Sequence, residues 1–313
     1  MKTFDFVALG FASNDHVAVV PFIPQDSKVQ MCSHRVAGGG VAANAASGAV
    51  ALGMRTAFVG TVGDDADGRM IIEEFERQGV DTSHIVVRPG ATSAIAYIFV
   101  DEKTGARSIA WGREGLTELK ADEIDADLIR KAKILHLDAH QPEGAIAAAK
   151  IAKAAGVIVS LDAGTYRDGT EELMALADIL ICSEEFIRKV TSAGCDNPIE
   201  DAVRALYAKY QPKVCGATMG VEGSVCFDGE KMVRVPAFKV EKVVDTTGCG
   251  DLFHMAFAVK YLETQDLTEC QRFASAVSAI KCRGVGGRPP VAPTRAEVEE
   301  FLVAFRTKRA FLK

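Results

Sequence analysis

From residue 120 onward the chain alternates short apolar runs with helix-compatible stretches, and that rhythm admits few architectures. Residues 134–138, 157–162, 179–183 and 213–218 read as strands, with helices over 143–155, 169–176 and 197–209 between them. Repeated strand–helix units joined by right-handed crossovers give a parallel sheet covered on both faces. Residues 4–10 and 56–63 add two more strands upstream, and a helix is expected over 68–79, with acids suited to its N-terminus. Those acids also resemble half a calcium loop, but the later ligands and the terminal Glu are missing. Asp15, Asp138, Asp162, Ser183 and Thr218 lie at or just past strand ends. In an open parallel sheet that edge borders the ligand crevice, although polar residues belong at strand ends in any protein.

Two stretches interrupt the rhythm. Residues 91–111 alternate around a turn at Asp101-Glu102-Lys103-Thr104-Gly105, the pattern of a β-hairpin. Residues 20–36 carry two prolines and alternate weakly, as a short strand pair outside the main sheet would. Together they could form a small β-lid over about 17–36 and 91–113, with Trp111, the only tryptophan, near it. A hairpin signal at Asp228-Gly229 follows the glycine turn 218–224, and the chain closes with helices over 266–282 and 294–306 around a glycine- and proline-rich loop.

Composition narrows the function classes. The 313 residues suit one large domain, and 48% hydrophobic and 25% charged content is ordinary for a globular enzyme. A net charge of −6 without a long Lys/Arg run argues against a general nucleic-acid binder. The first ten residues carry an acid and too short an apolar run for a signal peptide, and no stretch is long and apolar enough for a membrane helix. The cytoplasm is the expected location. The eight cysteines form no C-x-x-C pair or zinc spacing, so most read as small apolar residues in a reducing compartment.

The chemistry concentrates at Asp245-Thr246-Thr247-Gly248-Cys249-Gly250-Asp251, just ahead of the apolar run 255–259. Glycines before a helix let the backbone approach an anion, and free first-turn N–H groups then point at it. Asp251 reads either as a helix cap or as a base beside an anion hole for a migrating phosphoryl group. Gly38-Gly39-Gly40 lead into an Ala-rich helix, with Asn44 one turn in; that run suits a ligand lying on bare backbone or a tight helix–sheet contact. Asp15 is a candidate hydroxyl binder or an Asx-turn residue.

In this order and spacing, Asp15-His16, the triple glycine with Asn44, and the Asp245–Asp251 motif resemble the ribokinase-like, or PfkB, carbohydrate kinase family across essentially the whole chain. Phe253-His254, Phe273-Ala274-Ser275 and the run from Lys281 to Gly287 resemble most its branch of sulfofructose kinases, with ketohexokinases near. The resemblance implies a three-layer, doubly wound α/β fold with a mostly parallel sheet and a β-lid, and an ATP-dependent kinase of a small carbohydrate such as a ketohexose. Asp251 would be the base, with Gly248, Cys249 and Gly250 forming the anion hole. Asp15, Gly39, Gly40 and Asn44 would hold sugar hydroxyls, and Arg113 in the lid is a candidate anion contact. Ser183, Glu184, Thr218, Gly220, Gly223, Lys281 and Gly286 would line the nucleotide site. Asp245 and Thr247 would lie near a monovalent cation such as K⁺, and Mg²⁺ would accompany ATP near Glu184. The lid would serve as a homodimer interface.

The departures from the family pattern are Cys249 in place of Ala, Ser183-Glu184-Glu185-Phe186 in place of Asn-x-x-Glu, and His140 where sulfofructose kinases carry Arg. Cys249 is an oxidisable thiol candidate. A kinase of ribose, a sugar acid or a nucleoside, a non-catalytic sugar or nucleotide sensor on the same fold, a dinucleotide-dependent oxidoreductase and a structural oligomer are the rival readings. The triple glycine is not the G-x-G-x-x-G fingerprint, and a structural oligomer leaves the ordered motifs unexplained.

Overall fold

The computed structural model describes residues 3–310 apart from 193, 195 and 196, so Cys195 lies outside the described residues. The chain opens with β1 (Phe4–Leu9), β2 (Ser13–Val20), β3 (Ser33–Gly39) and α1 (Val41–Ala51). Then follow β4 (Thr56–Gly63), α2 (Ala66–Gln78), β5 (Ile85–Arg88), β6 (Ile95–Asp101) and β7 (Arg107–Gly112). The regular part runs α3 (Ala126–Arg130), β8 (Ala132–Leu137), α4 (Pro142–Ala154), β9 (Ile158–Ala163), α5 (Thr170–Leu176), β10 (Ile179–Ser183), α6 (Glu184–Thr191), α7 (Ile199–Tyr210) and β11 (Val214–Thr218). The chain ends with β12 (Ser224–Phe227), β13 (Met232–Val235), α8 (Cys249–Thr264), α9 (Leu267–Lys281) and α10 (Arg295–Ala310).

Nine strands form one sheet in the order β13-β12-β11-β10-β9-β8-β1-β4-β5. All pairs are parallel except those of β12 and β13 at one edge. Both faces are covered, as β1 shows: Phe6 and Ala8 enter the core under α1, α8 and α9, while Val7 and Leu9 enter the core under α4 and α7. Alternation along a strand whose two faces are both buried yields a near-continuous apolar run. The architecture is the expected ribokinase-like α/β fold, with a separate small sheet.

That small sheet has the order β3-β2-β6-β7. The β6–β7 hairpin forms as its alternation predicts, and β2 pairs with β6 in parallel. The expected strand pair over residues 20–36 is displaced. Strands cover 13–20 and 33–39, and the proline-bearing stretch between them has no strand, consistent with proline's missing donor. Asp15 therefore does not sit in a turn after β1. It lies inside β2, in register with Ala37. Helix α2 begins two residues earlier than expected, because the Asp65 carboxylate accepts the Gly68 N–H at 2.8 Å and caps it.

Helix α8 is buried along Leu252–Val259 and packs between α1 and α9. A Cβ on Gly48 of α1 would run into Leu252 and Met255, so the small residues of α1 set the close approach of the two helices. That approach carries the Gly40 end of α1 to the N-terminus of α8.

Candidate active site

The parallel strands β1, β8, β9, β10 and β11 end on one edge, and most of the expected site residues gather there. Asp251 lies in the first turn of α8, preceded by Gly248 in the left-handed region (φ 75°). The first intrahelical bond runs from Leu252 N–H to Gly248 O at 3.0 Å, so the Gly250 and Asp251 amides have no helical acceptor. The Cys249 N–H, expected in the anion hole, instead donates to Thr246 O at 3.2 Å, because residues 246–249 close a turn. A Cβ on Gly248 would lie 2.8 Å from Gly287 Cα, and one on Gly287 would lie 2.6 Å from the Asn44 amide. Glycine at both positions keeps this junction closed.

Asn44 Nδ2 donates to Asp251 Oδ2 at 2.7 Å across 207 residues of sequence. Burial, then the nearby Asp162 charge, raise the Asp251 carboxyl from 3.8 to about 6, against the lowering effect of the Asn44 bond. Asp162, at the end of β9, lies 2.6 Å from His254 Nδ1. Behind them His136 is fully buried, 3.2 Å from Ser160 Oγ, and burial pushes it down to about 4. A carboxylate held near 6 is ionised at neutral pH and close enough to the operating pH to take a proton from a hydroxyl.

Across from the base, Asp15 is buried and accepts the Ser13 hydroxyl at 2.7 Å, and burial raises its carboxyl. A Cβ on Gly39 would run into that carboxylate, and Gly40 (φ 97°) starts α1. Two residues that sequence reading missed hold this segment. Arg288 from the C-terminal loop, 1% exposed, donates to Gly39 O at 2.5 Å, and Glu74 of α2 accepts the Gly38 N–H at 2.7 Å. Asp138, one of the strand-end acids, is committed elsewhere: it accepts the N–H groups of Phe11, Ala42 and His140 at 2.8–3.0 Å, tying β1 to α1 and β8.

Further along the edge, Ser183 and Thr218 are register partners on β10 and β11. Ser183 caps α6, accepting the Phe186 N–H at 3.2 Å, and Thr218 Oγ1 donates to Cys182 O at 3.4 Å. Glu184 pairs with Arg188 through Oε1 at 2.8 Å. Gly220 is open, whereas a Cβ on Gly223 would run into Val235 O. Gly286 N–H donates to Asp245 Oδ2 at 2.8 Å. Thr247 donates its N–H to Asp245 Oδ1, while its Oγ1 is buried with no hydrogen-bond partner among the described residues. Lys281 departs most from expectation. It does not face the nucleotide edge: it is fully buried, with its ammonium turned inward to Asp245.

Arg113, the candidate anion contact, and two further arginines near the site have partners. Arg107, next to the β6–β7 turn, donates to Thr246 Oγ1 at 2.8 Å, so the small sheet touches the Asp245–Asp251 motif. Arg113 is bound to Glu118 at 2.5 Å. Arg167 reaches His140 Nε2 at 3.3 Å and lies over the half-exposed Trp111, while its Nε is buried without a partner among the described residues. Burial pushes the Cys249 thiol up to about 12, away from the thiolate form, and its Sγ lies 3.8 Å from Ser278 O.

The profile of the pfkB family carbohydrate kinases matches residues 4–295. The chain is 28% identical to an ATP-dependent ribose-1-phosphate kinase of Halopiger xanaduensis, over 95% of this chain and 97% of that one. It is 32% identical to a probable chloroplastic fructokinase of Arabidopsis thaliana, over 91% and 80% of the two chains. The solved structure of Arabidopsis thaliana ribokinase with ribose and ATP superposes with a TM-score of 0.82 at 29% identity, over 95% and 98% of the chains. With the motif match, the fold and the gathered edge in agreement, the chain belongs to the pfkB family of carbohydrate kinases and is a phosphotransferase acting on a hydroxyl.

Proposed function

We propose that this protein transfers the γ-phosphate of ATP to a hydroxyl of a small carbohydrate, a ketohexose or a derivative of one. The observation that carries the reading is Asp251: a carboxylate held near 6, bonded to Asn44, in the same helical turn as the free Gly250 amide. Asp251 takes the hydroxyl proton, and the free Gly250 and Asp251 amides hold the charge that develops on the moving phosphoryl group. Asp15, Asn44 and the bare backbone at Gly39 and Gly40 position the sugar. ATP lies along the Ser183–Thr218 edge, with Gly220 and Gly223 beneath it; the likeness to a ribokinase solved with ribose and ATP supports ATP as the phosphoryl donor. Mg²⁺ would supply charge neutralisation on the phosphates, and Glu184, held through Oε1 by Arg188, would orient its waters. The likeness to a fructokinase supports the ketose.

The small sheet closes the site as a lid within one kinase unit spanning residues 1–313, and the Arg107–Thr246 bond is its latch on the motif. Its outward face carries Val36 and Tyr97, both exposed and in one register row through His16, and pairs two copies into a homodimer. No helix among the described residues is long and apolar enough to cross a membrane. The seven described cysteines are free, which supports the reducing cytoplasm as the location.

One observation favours a second reading for the substrate, a sugar that carries an anionic group. The unpartnered Arg167 Nε, beside His140 and with the Arg113 charge near, offers a donor to such a group. ATP consumption over a panel of ketohexoses, aldopentoses, sugar phosphates, sugar acids and nucleosides separates the readings, with the product identified by phosphorus NMR. Turnover of neutral ketoses above all others supports the first reading. Preference for an anionic sugar, lost in Arg167→Met, supports the second. Absence of turnover across the panel refutes the kinase assignment.

A further inference from the structure

The monovalent-cation site that the family resemblance implies does not fit this chain. Asp245 is fully buried and accepts the N–H groups of Thr247 and Gly286, both at 2.8 Å. A carboxylate so enclosed requires a counter-charge. Lys281, also fully buried at the end of α9, supplies one. Its ammonium donates to the Asp245 backbone O at 2.7 Å and lies 3.7 Å from Oδ2. An ammonium head carries the charge of K⁺ in a similar volume. A second cation at Asp245 would meet a fixed positive charge a few ångströms away in a dry site, where repulsion is little screened. Thr247 Oγ1 contributes one neutral oxygen against a carboxylate that is already neutralised.

We infer that the Lys281 ammonium is a tethered replacement for the monovalent cation, and that this protein neither needs nor binds such an ion at Asp245. The geometry gives the replacement a task. Val244 and Asp245 donate their N–H groups to Cys282 O at 2.8 and 3.3 Å, and Gly286 reaches Asp245 Oδ2, so the loop after α9 is sewn to the strand of chain before the anion hole. Lys281 is a positioning residue that holds this seam, and through it the Gly248–Gly250 backbone three residues on. A tethered charge loses its freedom once, on folding, and the seam is therefore independent of which salt is present.

The test compares KCl with tetramethylammonium chloride at equal ionic strength. The wild-type Tm is expected to be the same in both salts, as is turnover of the sugar found in the panel. Lys281→Ala leaves a buried, unpaired carboxylate and space beside it. Its Tm is expected to fall by roughly 5–15 °C in tetramethylammonium chloride and to recover selectively in KCl. A K⁺-specific rise in wild-type Tm or turnover overturns the inference, as does a folded Lys281→Ala that responds alike to both salts. Should Lys281→Ala not fold, the Lys281→Met/Asp245→Asn double variant, with no charge left to neutralise, is expected to fold and to ignore K⁺. A K⁺-specific rise in its Tm overturns the inference. Only the turnover arm rests on the kinase reading; the thermal arm needs no substrate, so failure of one is distinguishable from failure of the other.

Discussion

Replacing Asp251 with Asn tests the base and its burial together. The carboxyl is raised from 3.8 to about 6, and each tenfold change in its protonation equilibrium corresponds to ~1.4 kcal/mol between its two protonation states. The residue is only partly buried, and solvent screening reduces the resulting ~3 kcal/mol to ~1–2 kcal/mol of effect on the fold. The sign follows from the direction of the shift. A carboxyl whose folded pKa lies above its unfolded one contributes stability below about pH 4, and that contribution is lost as pH rises through about 6. At pH 8 the ionised Asp251 therefore weakens the fold. An amide there carries no charge and still accepts the Asn44 hydrogen bond through its oxygen. Asp251→Asn is thus expected to melt about 2–6 °C above wild type at pH 8, with the difference closing toward pH 4. Its turnover is expected to fall by roughly 10²–10⁴-fold with sugar binding largely intact, the usual contribution of a general base. Differential scanning calorimetry at the two pH values and steady-state kinetics check both halves. Near-normal turnover refutes the base, and a variant no more stable than wild type at pH 8 refutes the desolvation argument.

Other perturbations probe the neighbouring residues. In wild type, kcat/KM is expected to rise through about pH 6 as Asp251 ionises and then to level; Asp162→Asn removes a like charge and is expected to move that limb to lower pH in the measured profile. Cys249, held near 12, is expected to resist iodoacetamide at pH 8 in the native protein and to react once denatured, as read by peptide mass mapping, and Cys249→Ala is expected to keep turnover within about twofold. Arg288→Met is expected to cost about 3–5 kcal/mol in urea unfolding, because it strips the Gly39 carbonyl and Glu74 of a buried cation; a loss below ~1 kcal/mol refutes that role.

Local pattern carried the strands, the helices and the places where glycine is required. Gly248 shows why: a left-handed residue ahead of a helix leaves a signature within a few positions, and so does the alternation of the β6–β7 hairpin. The displacement of Asp15 into β2 was not legible, because the partner that extends the strand, Ala37, lies beyond a proline-bearing connection. Helix α6, β5 and α3 are too short for a period to show.

By itself, then, the sequence determined the layered α/β architecture and the presence of an acid at the start of α8, since periodicity and capping act between near neighbours. Tertiary structure alone decided what that acid is and what holds it. Asn44 meets Asp251 across 207 residues, His254 meets Asp162 from another element, and Arg288 reaches back to Gly39. Lys281 is the clearest case. In the sequence it is a lysine at a helix end, where solvent exposure is the rule. Only packing of α9 against the segment before α8 buries it beside Asp245 and turns a surface residue type into an internal cation.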